Sequence, residues 1–137
     1  MINKIWQHKN IKESFLGSLK GLMVVIKTER NAKIIFAIGV IVILVGLILK
    51  VSLQEFIVII ILTIGVFICE VFNTLIENIL DIIQPQNDHK VKILKDIASG
   101  AVLISSIGAA IVGIIIFAPK INTLIINLIM NLNLSLK

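Results

Sequence analysis

Three stretches of this chain are too long and too free of charge to be anything but membrane spans. Ile34 to Leu49 is a run of sixteen residues without charge, Ile97 to Ala118 is a run of twenty-two, and Phe56 to Cys69 adds fourteen before the first carboxylate of that segment. Inside a bilayer every backbone N–H and C=O must find its partner within the protein, so such runs fold as α-helices. About 20 residues cross the hydrocarbon. With 58% hydrophobic residues among 137, the chain is also more apolar than a soluble domain of its size can bury. The reading is an all-α integral membrane protein with three transmembrane helices.

Local signals set the expected boundaries. The first span is read over about 34–51, reaching through Lys50 and Val51. The short turn Lys50 to Glu55 then allows only an antiparallel return. The second span is read over about 53–81, about 43 Å at 1.5 Å per residue, so its end should protrude from the membrane. Pro85 breaks it. The third span is read over about 97–118, with Pro119-Lys120 expected to stop it. Within it Ala101, Ser105, Ala109 and Gly113 recur every four residues, a pattern that lets helices approach closely in lipid.

Ahead of the spans, Ile11, Phe15, Leu19, Leu22 and Ile26 are spaced as one face of a helix over about 11–28, with Glu13, Lys20 and Lys27 opposite. This predicts an amphipathic helix lying in the membrane interface. If that helix ran on unbroken, Glu29 would come round to the angle of Ile11 and Leu22 and point inward. Residues 1–10 do not read as a signal peptide, because the first apolar run starts only at Ile34. The tail, 121–137, carries Asn127 and Asn131 among apolar residues and reads as a separate interfacial helix on the outer surface, appended to one membrane domain over 1–120.

The net charge of +5 would suggest a nucleic-acid partner for a soluble chain, but its distribution argues otherwise. Lys4, Lys9, Lys12, Lys20, Lys27, Arg30 and Lys33 precede the first span, Lys50 alone sits in the next turn, and Lys90, Lys92 and Lys95 precede the third span. This alternation follows the positive-inside rule and predicts a multi-pass plasma-membrane protein with its N-terminus and the 82–96 loop in the cytoplasm. Cys69 has no partner for a disulfide, and His8 and His89, in polar segments far apart in sequence, read as solvated side chains in preference to a metal pair.

The chemistry lies at the end of the second span. Glu70, Asn73, Glu77 and Asp81 fall within an arc of roughly 80° on a helix, with apolar residues on the other faces. A carboxylate at the depth of Glu70 is costly unless it faces a polar cavity and has a partner. The bland alternative is a solvated face where the helix leaves the bilayer. Glu29, Glu70, Glu77, Asp81 and Asp96 together place five of the eight acids near one membrane face. Hard oxygen ligands of this kind suit Mg²⁺, which is commonly held by one or two carboxylates plus substrate phosphates. The pattern points to phosphoryl transfer. Glu70 and Glu77, about 10.5 Å apart along the axis, should not share one ion: Glu77 would join Glu29 around Mg²⁺ and phosphates, and Glu70 would meet a hydroxyl presented from the bilayer. The sequence contains neither a GxxxxGK[ST] loop nor a kinase-type Gly-rich loop.

The blocks Glu29 after a basic amphipathic segment, EVFNTLIENILD over 70–81 and KDIASGAVLI from Lys95 resemble the prokaryotic diacylglycerol kinase family of small three-span lipid kinases. The likeness covers roughly residues 10–120 in order and spacing. It implies a homotrimer with composite active sites at the cytoplasmic interface, ATP with Mg²⁺, and a lipid alcohol as acceptor. By position it implies Glu70 as catalytic base, Glu29 and Glu77 as metal and nucleotide ligands, and Lys95 and Asp96 as nucleotide contacts. Asn73 and Asp81 would be polar members of the same site, and Ser99 would lie in the lipid-binding region. Glu29-Arg-Asn and the sequence closing span three resemble the Gram-positive branch acting on undecaprenol, which favours undecaprenol over diacylglycerol as acceptor. The chain departs from better-known members at Asn10 and Gly17, which stand where an arginine and a tyrosine contact the nucleotide.

Two other classes compete. An ion-conducting oligomer could line a pore with Glu70, Asn73 and Glu77, but Phe56 to Cys69 offers only Thr63 as a further polar group. An assembly subunit without chemistry leaves Glu29 and Lys95-Asp96 unexplained.

Overall fold

A computed structural model describes residues 10–85 and 88–135; Trp6 and His8, the rest of 1–9, and Lys137 at the tail's end lie outside the described residues. The described chain is helical: α1 is Ile11–Thr28, α2 Arg30–Ile48, α3 Leu53–Ile83 and α4 His89–Ser135. The last three are each long and apolar enough to cross a membrane. Their exposed Ile, Leu and Phe side chains are what a lipid environment covers.

The helix ends follow from local chemistry. At the end of α2, Val51 N–H bonds Gly46 O at 3.2 Å and Lys50 N–H bonds Leu47 O at 3.2 Å, with Lys50 in the left-handed region at φ 50°. This pair of bonds is a Schellman ending. Two residues on, the Ser52 hydroxyl accepts from Glu55 N–H while Glu55 accepts from Ser52 N–H, a capping box that starts α3. At the other membrane face Pro85 follows the end of α3, and Asp88 starts α4 by accepting Lys90 N–H at 2.7 Å. Helix α4 therefore begins eight residues before the expected start of span three.

Two expectations fail. Pro119 does not stop the third span: α4 is one helix of 47 residues with Pro119 inside it, and the tail continues it instead of forming a separate helix. Proline removes a single N–H from the ladder, a loss that membrane helices tolerate. Here the next turn is braced by Thr123 Oγ1 donating to Pro119 O at 2.9 Å. The condition under which Glu29 would follow the face of Ile11 and Leu22, an unbroken α1, is not met. Glu29 is extended (φ −91°, ψ 124°), ending α1 and beginning α2 at once.

Helix α3 lies between α2 and α4 and packs on both. Against α2 the register is fixed by Phe36 and Phe67, whose ring centroids are 6.0 Å apart, by Gly39 against Thr63, and by Gly46 against Ile59 and Phe56. Glycines seven apart on α2 let the backbones approach. Continued down the antiparallel pair, this register sets Ala32 level with Glu70 and Glu29 level with Asn73. Against α4 the register is fixed by two ion pairs, Glu55 with Lys120 at 3.0 Å near one end and Asp81 with Lys95 at 2.5 Å near the other. It sets Ser105 and Ser106 at the level of Glu70.

Candidate active site

The central position of α3 explains why Glu70 and Glu77 are not fully solvated. Glu70 is 3% exposed, Asn73 and Thr74 are each 6% exposed, and Glu77 is half-buried. Beside them the chain places residues small enough to leave room: Ala32 of α2 is fully buried and Ala98 of α4 nearly so. The polar core of the protein is thus a single turn of α3 and the turn that follows it. Buried polar groups at membrane depth are expensive unless satisfied.

One of them is satisfied within the chain. Asn73 Nδ2 donates to Glu77 Oε1 at 3.1 Å, an i,i+4 bond along α3. Asn73 Oδ1 is buried with no hydrogen-bond partner. The site therefore presents an amide oxygen awaiting a donor or a cation, beside two carboxylates. Glu77 and Glu29 are the acids whose charges act on Glu70. Glu29 is half-buried at the α1–α2 break, its backbone tied on both sides: its N–H bonds Val25 O and its carbonyl accepts Lys33 N–H.

One turn beyond Glu77, the Asp81 carboxylate holds Lys95 of α4. Both line a polar cleft of about 370 Å³ that also includes Gln84, His89 and Lys92. On the other side of Glu70 an apolar groove of about 600 Å³ runs between α2 and α4 over α3, lined by Ile35, Gly39, Val66, Ser106, Ala109 and Gly113 among others. The small residues of α4 that suggested tight helix packing, Ala109 and Gly113, line this groove, and a Cβ at Gly113 would meet nothing within 4 Å.

The structure sets Glu29 and Glu77 within electrostatic reach of Glu70, ties Asn73 to Glu77, and pairs Asp81 with Lys95 one turn farther along α3. It does not bring in Asp96 and Ser99, which are exposed on α4, the serine hydroxyl donating to Asp96 O at 3.0 Å. Each helical residue turns the side chain by about 100°, so Asp96 cannot face α3 when Lys95 does. Sequence reading passed over Thr74, although it falls within about 40° of Glu70 on the same face. Polarity at that angle was the available signal.

No group of three His, Cys, Asp or Glu among the described residues is arranged to hold a metal ion. The donors present are hard oxygens, the Glu77 carboxylate and the orphaned Asn73 Oδ1, with Glu29 level with them on α2. That set suits a Mg²⁺ arriving on phosphates and not a protein-enclosed ion.

The sequence model of the prokaryotic diacylglycerol kinase family matches residues 17–117. The chain is 33% identical over 109 residues to an undecaprenol kinase of Bacillus subtilis, covering 80% of this chain and 89% of that protein. It is 33% identical over 123 residues to a diacylglycerol kinase of Synechocystis, covering 88% of this chain and 70% of that protein.

Proposed function

This chain belongs to the prokaryotic diacylglycerol kinase family, and from that premise we propose that it transfers the γ-phosphoryl group of ATP to undecaprenol at the cytoplasmic face of the plasma membrane. It is a membrane lipid kinase. The observation that carries the detailed reading is the burial of Glu70 in the polar turn of α3, one helical turn beyond Val66, the last α3 residue that lines the apolar groove. A lipid alcohol whose hydrocarbon chain rests in that groove presents its hydroxyl to Glu70, and the cleft around Lys95 accepts the nucleotide from the other side.

In the reaction the lipid oxygen forms a bond to the γ-phosphorus while the bond from that phosphorus to the β,γ-bridging oxygen breaks and ADP leaves. The hydroxyl proton passes to Glu70, the nearest buried carboxylate to the groove. Asn73 keeps Glu77 oriented and offers Oδ1 to a donor or cation in the site. Glu29 and Glu77 are the residues that would hold Mg²⁺, which when bound neutralises charge on the transferring phosphoryl group. Lys95 contacts the phosphates. Asp96 and Ser99, exposed in one chain, are free to complete the site of a neighbouring copy in a homotrimer. The cations before α2 and before the third span support a cytoplasmic position for this face under the positive-inside rule.

Undecaprenol is favoured as acceptor because the relative named for it is covered over 89% of its length. Diacylglycerol is the second reading, supported by the Synechocystis relative. An ion-conducting role finds little in the arrangement, since the buried polar side chains Glu70, Asn73 and Thr74 lie in one turn and do not continue through the span. The deciding measurement uses purified protein in lipid nanodiscs with labelled ATP and either undecaprenol or diacylglycerol. Faster labelling of undecaprenol is the expected result; labelling of neither would overturn the reading.

A further inference from the structure

Asp81 and Lys95 lie on different helices, fourteen residues apart in sequence, and meet at 2.5 Å across the α3–α4 hairpin. With the lysine side chain 31% and the carboxylate 62% exposed, the pair stands in water and adds little to the hairpin's stability. Its position matters more than its strength. Asn73, Glu77 and Asp81 follow at intervals of four, so each stands about 6 Å along the axis from the last on one side of α3. Asn73 ties down Glu77, and Asp81 ties down Lys95. The ammonium is thereby held about one turn from Glu77, at the edge of the cleft, and not on the Glu77 carboxylate. A lysine is a compact charge on a flexible stem. Released from Asp81, it would move out to water or collapse onto Glu77, in the place of the cation that accompanies the phosphates.

We propose that Asp81 is the positioning residue for Lys95, fixing the ammonium where the triphosphate arrives and keeping it off Glu77. An ammonium has three N–H donors, so Asp81 can occupy one and leave two for phosphate oxygens. The inference rests on the reading of Lys95 as a nucleotide contact.

Steady-state kinetics of the full chain in lipid nanodiscs, at saturating lipid and varied MgATP, test both. Asp81→Asn is expected to raise KM for MgATP about tenfold with kcat little changed, and Asp81→Glu, which keeps the charge, to recover most of that loss. Lys95→Met is expected to raise KM at least as much. The double variant Asp81→Asn/Lys95→Met should then be no worse than Lys95→Met, because a residue acting through the lysine has nothing to act on once it is gone. A raised KM in Lys95→Met beside wild-type kinetics in Asp81→Asn overturns the role of Asp81 and leaves that of the lysine standing. Losses that multiply in the double variant overturn it too, since Asp81 then acts on its own. An unchanged KM in Lys95→Met overturns the nucleotide contact, and the positioning role with it.

Discussion

Replacing Glu70 by glutamine keeps the size of the side chain and takes away the proton acceptor, in a turn where Asn73 and Glu77 hold the surroundings. A positioned general base contributes about 10²–10⁴-fold, so Glu70→Gln is expected to lower lipid phosphorylation by that factor. MgATP affinity, followed by calorimetry on the same sample, should be retained, since neither proposed metal ligand is touched. Wild-type turnover would send the search for the base to another acid. Glu77→Gln separates the roles: it should weaken MgATP binding as well as turnover, and normal values of both would remove Glu77 from the site. The order of burial among these residues was legible in the sequence because depth along one helix face fixes it, Glu70 being nearest the apolar run and Asp81 farthest. The sides faced by Asp96 and Ser99 were not legible. Their neighbour Lys95 is polar as well, and the α3–α4 ion pair shows that Lys95 is the one that meets α3.

Helices meet here through small residues, and the glycines differ sharply in what they allow. A Cβ at Gly39 would lie 2.6 Å from Thr63 Cγ2, a methyl on a short β-branched side chain and not the far end of a long flexible one. Gly39→Ala is therefore expected to destabilise the α2–α3 contact by about 1–3 kcal/mol, seen as a lower unfolding midpoint in detergent. Gly113→Ala, where nothing stands within 4 Å, should leave the midpoint unchanged. Equal effects at both sites would mean that the α2–α3 register is not as described. The three spans could be read from charge alone, because a bilayer accepts only a helix over such lengths. The boundaries depended on finer chemistry. Ser52 and Glu55 spell a capping box and were readable. Pro119 misled: a proline looks like a terminator, yet one missing N–H does not outweigh the ladder on either side of it, with Lys120 anchored on Glu55 just beyond.

At the scale of the whole molecule α4 is out of proportion. Its 47 residues make about 70 Å of helix, against roughly 40–45 Å for a bilayer with its headgroups. The family match ends at residue 117, one residue after Ile116, a buried residue of the α4 core. The Lys120–Glu55 pair ties α4 to α3, and Ile121 lines the groove. From Asn122 to Leu134 every side chain is exposed. Tolerance to truncation follows the burial of what is removed. A chain ending at Ile121 is therefore expected to insert, fold and phosphorylate lipid within about twofold of the full protein, as surface changes away from packed features usually do. Unfolding midpoints and initial rates in nanodiscs measure this directly. If instead the shortened chain keeps its helix content but loses activity, the tail contributes to the assembled site, and cross-linking between copies through single cysteines at Asn127 or Asn131, in a Cys69→Ala background, would locate what it touches.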